Sequence, residues 1–195
     1  LEYESGHKCV LDPCNRPRSF LRHDLVIERV WYSYSEIVIM ARKELVNAIF
    51  NNKLDAAKQI ARRLTSFEVN QSIDAWDSHG RSVIHYASDK TDKEWASLVE
   101  VLLDVGCNPE VPTFNGWTAL HVSSNRMNAY SSQALILHGK ANVNAMTYHM
   151  YTPLHMASVA CDTSTMGLLL RHGANVNAIN KWNQSPLELS MGKTA

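Results

Sequence analysis

One phrase recurs along the chain at nearly fixed spacing: GRSVIHYAS from Gly80, GWTALHVSS from Gly116, MYTPLHMAS from Met150 and NQSPLELSM from Asn183. Its central apolar residues, Ile84, Leu120, Leu154 and Leu187, lie 36, 34 and 33 residues apart. A second register repeats with the first: LLDVGCNPE, LILHGKANVNA and LLLRHGANVNA carry Gly106, Gly139 and Gly173. A unit of about 33 residues cannot bury its apolar face alone, so such units must stack and share one continuous core. That requirement excludes most folds before any composition is considered.

Each unit reads as a pair of helices. Thr152-Pro153 opens the first, because Thr caps a helix and Pro tolerates the first turn, where its missing N–H would be unpaired anyway. Ser82, Thr118 and Ser185 repeat the capping chemistry. Small residues follow (Ala87, Ser123, Ala157) and allow close helix approach. A more aliphatic second helix (LVEVLLDVG, SSQALILHG, MGLLLRHG) ends at a glycine expected to adopt a left-handed conformation. Asn-rich tails then lead through a hairpin to the next unit. Ala87 to Gly106 is 19 residues, against 16 in the next two units, which places three extra residues in the inter-helix segment SDKTDKEWAS. Trp95, in that segment, either covers the helix pair or contacts a partner. Met150 and Asn183 stand where the other hairpins have glycine.

The period and the Thr-Pro-Leu-His-x-Ala phrase resemble the ankyrin repeat. Residues 148–180 match nearly throughout, and 77–113 and 114–147 match with substitutions. Residues 44–76 keep the helix pattern without the phrase, and 181–195 begin a further unit. The resemblance spans 44–192 and implies an all-α fold, an α-solenoid of stacked helix–turn–helix units. Degenerate outer units suit an array whose end faces meet water. Residues 1–43 form an extension, helix or strand pair, expected to pack on the first unit.

Lysine plus arginine and aspartate plus glutamate each number 19, so the net charge is zero. Nucleic-acid binding is therefore not expected, since it normally needs a cationic excess. No apolar run approaches the ~18 residues that span a bilayer, so membrane insertion is not expected. The start carries neither an initiating Met nor a signal-peptide core, which suggests a piece of a longer chain. Four cysteines in 195 residues make no disulfide framework, pointing to a reducing compartment, cytoplasmic or nuclear.

His85, His121 and His155 recur once per unit, but helices stacked ~8–10 Å apart cannot bring three of them to one zinc ion. The resemblance implies a structural role, with each ring bonding within and between hairpins. His7, Cys9, Cys14 and His23 have zinc-ligand chemistry in a spacing that fits no common finger; surface thiols and imidazoles are the alternative. MGKTA lacks the first glycine of a phosphate-binding loop, and no hydrolase, zinc-protease or kinase phrase occurs. No cofactor, small-molecule substrate or catalytic residue is expected, and the chain reads as non-enzymatic.

The hairpin tips are the informative positions. Flanking the glycine position they read Ser78-His79 with Arg81, Phe114-Asn115 with Trp117, Tyr148-His149 with Tyr151, and Lys181-Trp182 with Gln184. Five of these twelve are aromatic, while aromatics make up 8% of the chain, so chance would supply about one. The resemblance implies that tips and exposed inner-helix positions (Asp89-Lys90, Asn125-Arg126, Val159-Ala160) form a concave binding surface. The expected partner contacts are Trp76, His79, Arg81, Phe114, Asn115, Trp117, Arg126, Tyr148, His149, Tyr151, Lys181 and Trp182. Tip-on-tip stacking is the competing explanation of the aromatics. The function expected is capture of a protein or peptide. The other reading is a recruiting or regulatory segment of a larger protein, such as a ubiquitin-ligase receptor, or an inhibitor of a transcription or signalling factor.

Overall fold

The computed structural model describes residues 40, 41, 43–64 and 79–192. The chain divides into two compact units, Leu1–Met40 and Ala41–Ala195. Trp76, the His7–Cys9–Cys14–His23 group and nearly all of the expected extension lie outside the described residues.

Helices alternate with short turns: α1 over 43–50, α2 Leu54–Ala61, α3 Val83–Ser88, α4 Lys93–Asp104, α5 Ala119–Asn125, α6 Ala129–Leu137, α7 Pro153–Val159, α8 Thr163–Arg171 and α9 Pro186–Ser190. No strand occurs among the described residues. The inner row runs α3, α5, α7, α9, each packed on the next. The outer row runs α2, α4, α6, α8 in the same manner, and inner and outer helices of a unit also touch. Between the rows lies one continuous core, with Leu45, Ile49, Ile84, Leu98, Leu102, Leu120, Leu135 and Leu169 fully enclosed.

The capping chemistry falls where the sequence places it. Ser82, Thr118, Thr152 and Ser185 are N-caps, with Pro153 and Pro186 in the first turn. In three units the residue three beyond the cap is the recurrent histidine. The cap's backbone N–H donates to its Nδ1 at 3.1, 3.2 and 3.0 Å for His85, His121 and His155. Nδ1 therefore carries the lone pair, and Nε2–H donates to the next tip: to the Trp117, Tyr151 and Gln184 carbonyls at 3.0, 3.0 and 3.1 Å. In the last unit Glu188 replaces histidine and its carboxylate accepts from the Ser185 N–H at 2.7 Å, the usual capping box. The histidines are structural, as the resemblance implied, with both ring nitrogens engaged.

Two local expectations are corrected. The extra residues of the second unit do not make a long loop. Most of them lengthen the outer helix, α4, to 12 residues against 9 in α6 and α8. Trp95 consequently sits on a helix and is buried (4% exposed) in the core cluster. Apolar residues at helical spacing can extend a helix further than a loop reading allows. The second correction concerns the outer-helix glycines. Gly106 and Gly173 are left-handed, with φ of 93° and 84°, but Gly139 is not, and Lys140 (φ 51°) takes that conformation instead. Gly139 serves close approach: a Cβ there would meet the Leu135 carbonyl oxygen at 2.7 Å and the Leu103 side chain at 3.0 Å.

The Asn-rich tails form a second inter-unit ladder. Asn108, Asn142 and Asn175 side chains accept from backbone two residues on, at 2.9, 3.0 and 3.0 Å. Glu110 then accepts from the Asn142 N–H and Asn144 from the Asn175 N–H, both at 2.8 Å, tying each tail to its successor.

Candidate functional site: the tip row and its cleft

The tips are built from one repeated geometry. In the hairpins at 113–117, 147–151 and 180–184, the first residue's N–H donates to the last residue's carbonyl, at 2.8, 2.9 and 3.0 Å. The side chains of Thr113, Thr147 and Asn180 accept back from the N–H of Trp117, Tyr151 and Gln184. The turn position itself is left-handed in the four described hairpins: Gly80, Gly116, Met150 and Asn183 have φ of 69°, 76°, 61° and 58°. Each tip also donates one backbone bond to its predecessor. Phe114 N–H reaches the His79 carbonyl, Tyr148 that of Asn115, and Lys181 that of His149, at 2.9, 3.2 and 3.0 Å. The row of tips is thus held in register by main chain, independent of the side chains it displays.

The five tip aromatics separate into two groups. Phe114, Tyr148 and Trp182 are 58%, 68% and 57% exposed. Trp117 and Tyr151 are half-buried and lean against the histidines of their own units, with ring centroids 6.3 Å from His121 and 5.7 Å from His155. Tip-to-tip contact is also present. The Phe114 ring lies over Gly80, where a Cβ would come within 2.5 Å of it, and Tyr148 lies over Gly116 in the same way, at 3.0 Å. At the third step Trp182 packs against His149 and Tyr151, at 5.4 and 5.7 Å. Each exposed aromatic therefore has one face on the preceding tip and the rest in solvent.

His79, Arg81, Asn115, Trp117 and Arg126 come together around one cleft of about 260 Å³, with Asp89, Thr113, Val122 and Asn125 completing its lining. Arg126 is held by Asp89, Nε to Oδ1 at 2.5 Å and Nη2 to Oδ2 at 3.3 Å. The Arg81 guanidinium sits 5.2 Å over the Tyr86 ring. Lys181 is exposed beside Trp182, away from this cleft. Sequence reading missed Thr113 and Val122 as lining residues. The recurrence of Thr113, Thr147 and Asn180 three positions before the turn was the available signal for the first; Val122 has none, being one apolar residue of an apolar helix.

Burial governs the titrating groups beside the tips. It lowers the His121 pKa to about 4, against the Tyr151 and Ala145 carbonyls, which favour the protonated ring. It lowers that of His155 too, against the carbonyls of Gln184 and Ala178. The Cys107 thiol is pushed up to about 12 by burial alone. No group of three or more His, Cys, Asp or Glu side chains suited to a metal ion occurs among the described residues, and no helix among them is long and apolar enough to cross a membrane.

A stack of helix pairs joined by a ladder of hairpin tips defines a repeat solenoid. Residues 93–180 match the family model described as ankyrin repeats (3 copies), so that segment of the chain is built of ankyrin repeats. The chain is 26% identical over 129 residues to human transient receptor potential cation channel subfamily A member 1, covering 66% of this chain and 11% of the channel subunit. It is 33% identical over 113 residues to E3 ubiquitin-protein ligase KEG of Arabidopsis thaliana, covering 56% of this chain and 7% of the ligase. With human NF-kappa-B inhibitor alpha it shares 31% identity over 86 residues, 42% of this chain and 27% of the inhibitor. The matched regions thus span only a small part of each relative. Ankyrin repeats in general mediate protein–protein interaction.

Proposed function

We propose that this chain is a non-catalytic interaction module that captures a protein or peptide along its concave row of tips and inner-helix ends. The observation that carries the reading is the exposure of Phe114, Tyr148 and Trp182 on a backbone ladder that would hold without them. Large aromatics left wet on a rigid support are what hot spots are made from. A preformed ladder also loses little entropy on binding. Trp117, Asn115, His79, Arg81 and Arg126 would supply the adjoining cleft, with His149, Tyr151 and Lys181 continuing the surface; the cleft is smaller than the roughly 300–1,000 Å³ usual for small-molecule pockets. A reducing, cytoplasmic or nuclear setting suits the buried Cys107 and the exposed Cys161 thiols.

The test is the double substitution Phe114→Ala, Trp182→Ala. We expect partner capture to weaken more than tenfold while the thermal midpoint stays close to that of the parent. A collapse of the midpoint with capture unchanged per folded molecule would make the aromatics internal braces instead.

A second reading, recruitment or regulation within a larger protein, is favoured by how small a part of each relative the chain matches. Sequencing the surrounding reading frame separates the two: a ligase, kinase, channel or transcription-factor-binding segment in it would support the second.

A further inference from the structure

The three wet aromatics stand on a ladder of fixed step. Phe114 and Tyr148 hold the same hairpin position 34 residues apart, and each donates its backbone N–H to the preceding tip. Trp182 belongs to the next tip and lies one residue later, after Lys181, which makes the same bond. Tip is bonded to tip as inner helix is packed on inner helix, so the step between rings follows that of stacked helices, about 8–10 Å. Each ring keeps one side on the preceding tip and turns the rest to solvent.

That step selects among backbone conformations. A polyproline II helix rises about 3.1 Å per residue with three residues per turn, so its equivalent side chains recur every ~9.3 Å, one per unit. Same-face residues of an extended strand recur every ~6.6–6.8 Å and fall out of register at the second ring. An α-helix repeats a face every ~10.5 Å over seven residues, which exceeds the step and drifts past the third ring. The side-chain donors agree with the spacing. Tyr148 Oη, Trp182 Nε1 and the exposed amides of Asn115 and Asn125 have no hydrogen-bond partner among the described residues. A polyproline II backbone makes no internal hydrogen bonds and presents its carbonyls to such donors. The Arg126 fork is already filled by Asp89, so the adjoining cleft calls for no anion.

Resting on the interaction reading above, we infer that the captured segment is a proline-rich peptide in the polyproline II conformation. It lies along the ladder with one residue in every three packed on Phe114, Tyr148 and Trp182 in turn, and Tyr148 Oη and Trp182 Nε1 donate to its carbonyls. Ligand and ladder are both formed before they meet, which keeps the ordering cost low.

The experiment selects from a displayed random dodecapeptide library on the parent chain, on Tyr148→Phe, on Tyr148→Ala, and on Phe114→Ala, Trp182→Ala, each checked by circular dichroism for an intact helical fold. The inference expects parent-selected peptides to carry prolines three residues apart. Moving one proline by a single position, with composition kept, should weaken the best peptide about tenfold or more in fluorescence anisotropy. That arm leaves the protein untouched and so decides the matter whichever variants fold. Tyr148→Phe, which keeps the ring and loses the donor, should weaken binding less than Tyr148→Ala. Peptides without the three-residue spacing that are still lost on the double aromatic variant would overturn this inference and leave the interaction reading standing. A selected peptide that gains helical ellipticity on binding would do the same. Selection that is empty, or indifferent to every variant, would sink both.

Discussion

His121 has both ring nitrogens committed, one to its own helix cap and one to the next tip, and burial holds its pKa near 4. The ordinary value is 6.5, so the unfolded chain takes up the proton first as pH falls. Stability is therefore full above about pH 6.5, falls as pH drops toward 4, and levels off below; for this ring the loss is on the order of 3 kcal/mol. His155 acts in the same direction. Urea midpoints should decline from about pH 6.5 to about pH 5, above the carboxylate range, and the decline should shrink in His121→Gln. A flat profile in the parent chain would contradict a buried neutral ring. Met150 supplies a second test at this scale, because its φ of 61° is costly for any residue with a Cβ. Met150→Gly should raise stability by about 0.5–1 kcal/mol, the relief of strain being partly offset by glycine's larger unfolded entropy. Denaturant titration measures it directly, and a net loss would mean that the Met150 side chain contributes more than its backbone costs. The capping residues and structural histidines were legible because each is a local phrase with a local partner. Lys140 replacing Gly139 in the left-handed position was not, since the approach of Leu103 excludes a Cβ from a place that local sequence does not mark.

Among the elements, α4 departs from its counterparts. Its additional turn carries Trp95 into the core, with Lys90 Nζ 5.3 Å over the indole. Truncation there leaves a cavity under a helix rather than a vacancy in a loop, so Trp95→Ala should cost about 3–5 kcal/mol. A loss under about 1 kcal/mol in chemical denaturation would return Trp95 to a peripheral role. The period could show that the second unit was longer, but whether the surplus became loop or helix depended on where the neighbouring outer helices offered apolar surface. The same limit applies to the tips. Sequence placed five aromatics at positions free of fold duties, yet Trp117 and Tyr151 turn inward against histidines while Phe114, Tyr148 and Trp182 stay wet.

Across the array, each unit completes the one before it. The Gln184 carbonyl satisfies His155, Lys181 N–H pairs with His149, and α9 packs on α7. Deleting residues 181–195 should therefore destabilise what remains by a few kcal/mol, leaving a buried imidazole N–H unpaired and the α7 surface wet. The check is the equilibrium unfolding free energy of the 1–180 chain; a value equal to the parent's would mean that the last unit adds nothing to the stack. The sequence alone determined that units of about 33 residues exist, that each is a capped helix pair, and that they must stack, because capping, helix periodicity and unit length are local properties. Tertiary structure decided which tip aromatics face solvent, where the surplus of the second unit went, and that Arg81 and Arg126 share a cleft. Those outcomes depend on residues about 30 or more apart meeting in space, which follows from the rise and turn between stacked units rather than from any stretch of chain read by itself.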